Sequence, residues 1–531
     1  MSRFLQIHQY AFVVIVSLAQ MLLFQGPFLD FAFEVSDWPS SQGILQIASV
    51  EIVQFLLLSY LLIAVSIFSV KVMKAVAMLL FILNAAAYYF MAEYGVLMTS
   101  GMMANILGTH TREVQDLMHL GFFLHMLLYA VIPCVLIWTI KINMAKFWGR
   151  MTVGTSILVL LGVWLYATSP TWLWYDRHLT GLGARVLPWS YVVNTGRHLY
   201  YKSLSERVQT KLPDAKFDQK TPARKQVVVL VIGEAARADN FSLYGYDRET
   251  NPFTKQQGIA TIPVGQSCGT STIAGAACIL THEGSEASET TTNEPLPNYL
   301  TRHGVETIYR TNNNGLPPIK TTSRKWSADI AKSCTGENCP AERLDEALTW
   351  GLIDEVENSS SERVFVLLHL FGSHGPSYFE QYPDGFEHFS PVCKTVQVGN
   401  CSYEELVNAY DNSIRFTDYV LAEFIKDLRG LTNSDAAMIY VSDHGQSLGE
   451  AGVYLHGLPN AIAPAFQRRI PFLVWMSDGF KQSRQLTNAD IIPSKSHPHD
   501  FAFHSVMGAF KMRSDIYKPQ FDLFNLPDKV N

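Results

Sequence analysis

Tyr440–Gly457, YVSDHGQSLGEAGVYLHG, concentrates residues able to do chemistry. An apolar run, Met438-Ile439-Tyr440-Val441, reads as a buried strand and stops at Ser442-Asp443-His444-Gly445. Asp443 and His444 would stand at the carboxyl end of that strand, where open α/β sheets keep their ligand sites. Both are zinc-ligand types, and His456 returns a second imidazole one loop later. The competing reading is a polar strand end with a capped turn. A hydroxyl loop lies upstream in Ser267-Cys268-Gly269-Thr270-Ser271-Thr272. A threonine hydroxyl is a poor nucleophile until a base or metal activates it, and a Glu/Asp/His zinc site with an open position could do so. By itself the Gly-Thr-Ser-Thr composition is ordinary for a loop.

The elements that must position these residues are legible as buried strands. Gln226–Gly233, QVVVLVIG, is continuous and β-branched without alternation, as in a parallel strand covered on both faces, and Glu234 stands at its end. Val364–Leu368 is a second such strand, running into His369-Leu370-Phe371-Gly372-Ser373-His374. Three strand ends thus bring acidic or imidazole groups to one edge. Helical stretches between them, such as Tyr403–Leu428, predict a doubly wound α/β sheet.

Before this domain the composition changes. The 531-residue chain is 48% hydrophobic with net charge −6, but nearly all the charge follows the first third. There is no basic arm or repeat of a nucleic-acid binder. Apolar stretches at roughly Ala11–Phe33, Ile52–Val70, Ala75–Ala92, Leu120–Ile140 and Met151–Ala167 predict five membrane spans. Glu51 would lie at the outer edge of the second. Arg3, Lys71, Lys74, Lys141, Lys146 and Arg150 alternate with loops holding Glu34, Asp37, Glu93, Glu113 and Asp116. The positive-inside rule puts the basic set in the cytoplasm and everything after Ala167 outside. Asn105, Thr109 and Glu113 recur at i, i+4 and i+8, one face of a helix: a polar shelf for a lipid headgroup, or a solvated surface. An aromatic-rich connector, with Trp172, Trp174, Tyr175, Trp189, Tyr191, Tyr200 and Tyr201, suits a membrane–water interface. The expected division is 1–168 membrane domain, 169–220 connector and 221–531 catalytic domain. Six of seven cysteines follow the spans, grouped as Cys268 with Cys278, Cys334 with Cys339, and Cys393 with Cys401, while Cys134 lies within a span. Short-loop pairs fit disulfides in an oxidising compartment; zinc clusters are the rival reading.

With these motifs assembled, a resemblance emerges. GEAARADNFSLYGYDRETNP from Gly233, the CGTST loop, LHLFGSHGPSY, the NAYDNSIRFTD helix and the SDHGxSLGE…YLHG block resemble phosphoethanolamine transferases of the Gram-negative inner membrane. The resemblance implies five spans with a cytoplasmic N-terminus and a periplasmic domain of alkaline-phosphatase/sulfatase-like fold. It further implies Thr272 as nucleophile, with Glu234, Asp443, His444 and Thr272 itself around a catalytic zinc. His374 and His456 would hold the phosphoryl group or a second zinc. Asn105, Thr109 and Glu113 match a lipid-binding motif, and Asn312 or Asn313 an asparagine near the headgroup. The implied reaction moves phosphoethanolamine from phosphatidylethanolamine to a lipopolysaccharide acceptor, lipid A foremost, by a monomeric enzyme associated with polymyxin resistance. Core sugars, periplasmic glucan or protein are alternative acceptors. Two departures stand out: Gln446 where the family usually has glutamate, and IAGAACIL after Thr272 where it usually has something like SLPCMFS. A sulfatase would need Cys/Ser-x-Pro-x-Arg, which is absent from the sequence. A phosphoglycerol transferase shares the layout but fits the cysteine pairs and NAYDN helix less well.

Overall fold

The computed structural model describes residues 6–108, 119–205, 209–287, 292–335, 339–395 and 398–525. The chain forms two compact units, one of 1–103 with 117–196, the other of 104–116 with 197–531.

In the first unit, helices α3 (Ser41–Ser66), α4 (Val70–Tyr94), α5 (Leu120–Thr139) and α6 (Phe147–Ala167) are each long and apolar enough to cross a membrane. A fifth crossing is available if α1 (Gln9–Phe24) and α2 (Gly26–Val35) form one span. The expected unbroken Ala11–Phe33 span is in fact bent by 64° between them. Pro27 opens α2; its ring and missing N–H prevent the α1 ladder from continuing through Gln25-Gly26-Pro27. Glu51 also departs from expectation. Ser40 caps α3 through the Gly43 N–H, so Glu51 lies well inside the helix rather than at its edge. Buried amides and hydroxyls bind these helices together: Gln9 donates to Ser66 Oγ (2.8 Å), Asn84 to Gln20 Oε1 (2.7 Å) and Tyr191 to Asn84 Oδ1 (2.9 Å). Such bonds supply specificity where apolar burial cannot distinguish helix from lipid. At one end of the unit Gln6–His8 pairs with Lys141–Asn143, Lys74 Nζ donates to the Trp138 carbonyl (2.9 Å), and Arg150 donates to that of Ser66. The aromatic connector forms helices Ser169–Arg177, Leu179–Gly183 and Trp189–Ser205. Asn105 lies in the helix Ser100–Gly108, whereas Thr109 and Glu113 fall outside the described residues.

The second unit is built on a seven-stranded sheet. In chain order its strands are β1 (Lys225–Gly233), β2 (Ala260–Gln266), β3 (Glu306–Thr311), β4 (Ser323–Trp326), β5 (Arg363–His369), β6 (Ser434–Ser442) and β7 (Arg469–Met476). Their spatial order is β2-β7-β6-β1-β5-β3-β4. The pairs β6/β1, β1/β5, β5/β3 and β3/β4 are parallel, while β7 runs antiparallel to both neighbours. β1 is central, as its run of buried aliphatics requires. Helix α7 (Thr272–Leu280) follows β2, α8 (Tyr403–Arg429) follows β5, and α9 (Pro498–Ala509) follows β7. α8 starts with a reciprocal Ser402/Glu405 capping box and ends with Lys426 and Arg429, each complementing a helix terminus. One core joins β1, β6 and β7 to Ile279 and Leu280 of α7 and to Phe501, Val506 and Met507 of α9.

The cysteines divide as expected between disulfides and a lone thiol. Cys268 is bonded to Cys278, Cys334 to Cys339 and Cys393 to Cys401, each closing a loop of ten residues or fewer. With all six sulfurs consumed in this way, the rival zinc-cluster reading of the pairs falls. Cys134 is free.

Candidate active site

Register brings the three strand ends together. Gly233 of β1 is opposite Ser442 of β6, and Ile232 is opposite His369 of β5. Just beyond, Asp443 N donates to Gly233 O (3.0 Å) and Ser373 N to Glu234 O (3.1 Å). The chain turns out of β1 through Ala235, a non-glycine residue at φ +55°. That uncommon conformation persists where surroundings over-determine it. Here Ala235 N donates to Asp443 Oδ1 (3.2 Å), Ala236 N to Ser442 Oγ (3.0 Å), and Tyr410 OH of α8 to Ala235 O (2.7 Å). The NAYDN segment therefore holds the backbone that presents Glu234. Ser413 extends the support by donating to Ser373 Oγ (2.9 Å), in the loop that carries His374.

Glu234, Asp443 and His444 are fully buried and Thr272 nearly so. His444 Nδ1 donates to the Gly445 carbonyl (2.8 Å), which leaves Nε2 to face the site. That nitrogen is 3.2 Å from Glu234 Oε1, 3.5 Å from Asp443 Oδ2 and 3.5 Å from Thr272 Oγ1. Thr272 in turn donates to Glu234 Oε2 (3.0 Å), which also receives Asn313 Nδ2 (2.8 Å). Glu234 Oε1 and Asp443 Oδ2 are buried without a hydrogen-bond partner among the described residues. Lone pairs thus converge with no positive group between them unless His444 is protonated. Electrostatics register the conflict. Burial opposes charge on Glu234, but His444, with His374 and His456, holds its carboxyl well below the usual range. Burial and the Glu234 charge drive Asp443 well above it. Against the cost of burial, Asp443 and Glu234 push His444 up to about 9. A divalent cation would satisfy all four atoms, and the donor set suits zinc.

His456 faces His444 with ring centroids 4.2 Å apart, and His374 lies 5.5 Å from His456. Ligand atoms of Glu234, His444 and His456 fall within 4.8 Å of one another, so His456 belongs to the same cluster. Gln446, fully buried, accepts from His456 Nδ1 (2.8 Å) and donates to Tyr378 OH (2.7 Å). Of the two candidate asparagines, Asn313 reaches Glu234; Asn312 instead donates to Asp345 Oδ1 (2.9 Å). His369 is buried beside Glu234, and desolvation pushes its imidazole down to about 4.

Thr272 is the first residue of α7. Ser271 precedes it in extended conformation without a side-chain cap, so its side chain does not take up the first-turn N–H groups, the kind of donor that anion sites at helix termini use. Gly275, one turn on, lies against the Asp443 backbone so closely that a Cβ there would meet the Asp443 carbonyl oxygen. Sequence reasoning missed several supports of the site. Asp345 accepts from Phe371 N (2.9 Å) and Gly372 N (2.8 Å), fixing the loop to His374. His499 was equally unmarked, and Tyr410, though inside the NAYDN motif, carried no assigned role. Their partners lie far away in sequence, so no local spacing signals them.

Polar ligands at one edge of such a sheet define a sulfatase-like class, and the sulfatase family profile matches residues 226–512. Residues 56–203 match the profile described as phosphoethanolamine transferase EptA/EptB. Phosphoethanolamine transferase EptA of Helicobacter pylori is 34% identical over 506 residues, 94% of each chain. Phosphatidylethanolamine transferase Mcr-1 of Escherichia coli is 34% identical over 426 residues, 76% of this chain and 78% of that one. The integral membrane lipooligosaccharide phosphoethanolamine transferase A (EptA) of Neisseria meningitidis superposes with a TM-score of 0.86 at 25% identity, covering 98% of both chains. The chain belongs to the phosphoethanolamine transferase family.

Proposed function

We propose that this transferase takes phosphoethanolamine from phosphatidylethanolamine through Thr272 and delivers it to a lipopolysaccharide acceptor, with lipid A as the first candidate. The observation that carries the mechanism is the convergence of Glu234 Oε1, Asp443 Oδ2 and Thr272 Oγ1 within 3.5 Å of His444 Nε2. Donor and acceptor classes are supported by the names of the Escherichia coli and Neisseria meningitidis relatives.

Glu234, Asp443, His444 and Thr272 would hold the zinc. Bound there, it would supply a Lewis acid that lowers the pKa of the Thr272 hydroxyl and neutralises phosphoryl charge. Thr272 Oγ1 attacks phosphorus as the bond to the diacylglycerol oxygen breaks, giving a phosphothreonine-type diester in which Thr272 carries the whole phosphoethanolamine group. Glu234 Oε2, already its hydrogen-bond acceptor, receives the hydroxyl proton and returns it to the departing glyceride oxygen, so the step leaves no net proton change. The uncapped first turn of α7 and His374 orient the phosphoryl oxygens, or His374 and His456 hold a second zinc. An acceptor hydroxyl or phosphate then attacks the phosphothreonine and Thr272 is regenerated. In this reading 1–168 anchors a monomer in the inner membrane with its N-terminus inside. Segment 169–220 follows the outer membrane surface, Asn105, Thr109 and Glu113 meet the donor headgroup, and 221–531 works in the periplasm. Each transfer adds an ammonium group, reducing the surface negative charge that attracts polymyxin-like peptides.

The test is mass spectrometry of lipid A and core oligosaccharide from cells expressing wild type or Thr272→Ala. A phosphoethanolamine adduct is expected on lipid A with wild type alone. Transfer by the alanine variant near the wild-type rate would overturn the assignment. An adduct on core sugar, glucan or protein instead would move the acceptor and keep the chemistry.

A further inference from the structure

The first turn of α9 grips the nucleophile segment at several points. Pro498 lies against Gly265 at the end of β2, leaving no room there for a side chain. At the other end, Asp500 Oδ1 accepts from Ser285 N and Oγ (both 3.1 Å) and packs on Gly284, which has φ +59°. Between them His499, 1% exposed, bridges two elements of the site. Its Nε2 meets the Ser442 carbonyl (3.1 Å), an acceptor only, so Nε2 carries the proton. Nδ1 is therefore an acceptor, and Cys268 N donates to it (3.3 Å). Burial favours this neutral form by pushing the imidazole down to about 4. Cys268 and Cys278 form a disulfide, so they offer no thiolates with which His499 could build a metal cluster.

We infer that His499 is a positioning residue for the transfer, locking the Cys268–Thr272 loop to the residue before Asp443 and so setting where Thr272 Oγ1 stands. The inference rests on the proposed role of Thr272. The disulfide ties Cys268 to α7, but nothing in that bond ties the loop to β6. His499 supplies this second tie: one ring spans from the loop amide to the strand carbonyl. Being rigid, it fixes their separation. Its two hydrogen bonds go to neither the reacting atoms nor the proposed ligands, so its loss should slow the chemical step while leaving donor binding and metal content unchanged.

The test uses the full chain in detergent, following phosphorylation of Thr272 in a single turnover against phosphatidylethanolamine concentration. His499→Phe is expected to lower the maximal rate about 10- to 100-fold, the cost of a small misplacement of a nucleophile, with unchanged half-saturation. Bound zinc and the three disulfides should match wild type. Amide exchange across Cys268–Thr272 should rise about tenfold, the loss of one hydrogen bond. His499→Asn, whose Oδ1 can replace Nδ1 toward Cys268 N but leaves the Ser442 carbonyl without its donor, should restore part of the exchange protection while its rate stays at least about threefold below wild type. The inference is overturned if the phenylalanine variant keeps its rate, if the rate falls with exchange unchanged, or if asparagine, with the strand arm lost, restores the full wild-type rate. Should the phenylalanine variant misfold, His499→Gln replaces it: Gln keeps only the strand arm, so its rate must fall and exchange across Cys268–Thr272 must rise. If wild type itself forms no phosphothreonine, the proposed function fails, and the exchange data alone decide whether His499 holds the loop.

Discussion

Gln446 makes two hydrogen bonds that a single-atom difference from glutamate would alter. Its carbonyl accepts from His456 Nδ1, which directs the Nε2 lone pair of His456 toward the site, while its amide donates to the buried Tyr378 hydroxyl. Partners of this kind set ligand basicity, and their removal commonly costs about 10- to 100-fold in metal affinity. Gln446→Leu would strand both the His456 N–H and the Tyr378 oxygen. Zinc affinity should fall by about that factor, with stability reduced by about 1–3 kcal/mol. Gln446→Glu retains an acceptor for both neighbours but adds charge beside Glu234 and Asp443. It should bind zinc about tenfold more tightly and leave the metal-free protein less stable. Chelator-competition titration of the full chain checks both; equal affinities across the three proteins would remove Gln446 from the site's support. The sequence made Glu234, Thr272, Asp443, His444 and His456 candidates because their types and motifs are local signals. The disulfides were legible for the same reason: Cys334 and Cys339, like Cys393 and Cys401, are near neighbours in the chain. His499 and Asp345 carried no such signal, since each acts on amides reached only through the tertiary fold.

Between elements, the closest tolerance is where α7 meets the end of β6. Gly275 permits the approach, and an added Cβ would collide with the Asp443 carbonyl. Gly275→Ala therefore sets two effects against each other. Alanine favours the helix by about 1 kcal/mol, while overpacking a tight contact costs about 1–3 kcal/mol. The net should be modest destabilisation, but the displacement falls directly on the distance from Thr272 to the Asp443 backbone. Transfer should drop about 100-fold with helix content unchanged, read by single-turnover rate and circular dichroism. A variant within about twofold of wild type would mean that this approach yields freely. The strands behind the contact were readable in part. β1, β5 and the end of β6 declare themselves as β-branched or apolar runs ending in polar residues. β7 is as apolar, but nothing in RIPFLVWM tells an antiparallel neighbour from a parallel one; pairing with β6 and β2 decides it. The positive φ of Ala235 was likewise hidden, because tertiary hydrogen bonds rather than a glycine enforce it.

For the whole molecule, the decisive quantity is whether the number of membrane crossings is odd. α3 to α6 make four, and the bent α1–α2 pair makes five only if it counts as a span. Hydropathy marked the apolar run from Ala11 to Phe33 but was blind to its break, since α1 and α2 are both apolar on either side of the proline. The basic residues bear on the answer. Pairing of Gln6–His8 with Lys141–Asn143, and the bonds from Lys74 and Arg150, collect the N-terminal segment and both later basic loops at one end of the first unit. The positive-inside rule assigns that end to the cytoplasm. With the basic loop before α6 in the cytoplasm, the residues after α6 would emerge in the periplasm, an oxidising compartment in which the three disulfides persist. An N-terminus at that same cytoplasmic end makes α1–α2 the fifth crossing. Reporter fusions can decide. A fluorescent protein fused at the N-terminus or inserted between α3 and α4 should fluoresce, whereas alkaline phosphatase joined after Asn525 should be active. Fluorescence from the α3–α4 loop but not from the N-terminus would reduce α1–α2 to a re-entrant element, and an inactive phosphatase would put the candidate metal site on the wrong side of the membrane for a lipopolysaccharide acceptor. An inactive phosphatase would also deny the disulfides an oxidising compartment, so the proposed acceptor and the disulfides call for the same side of the membrane.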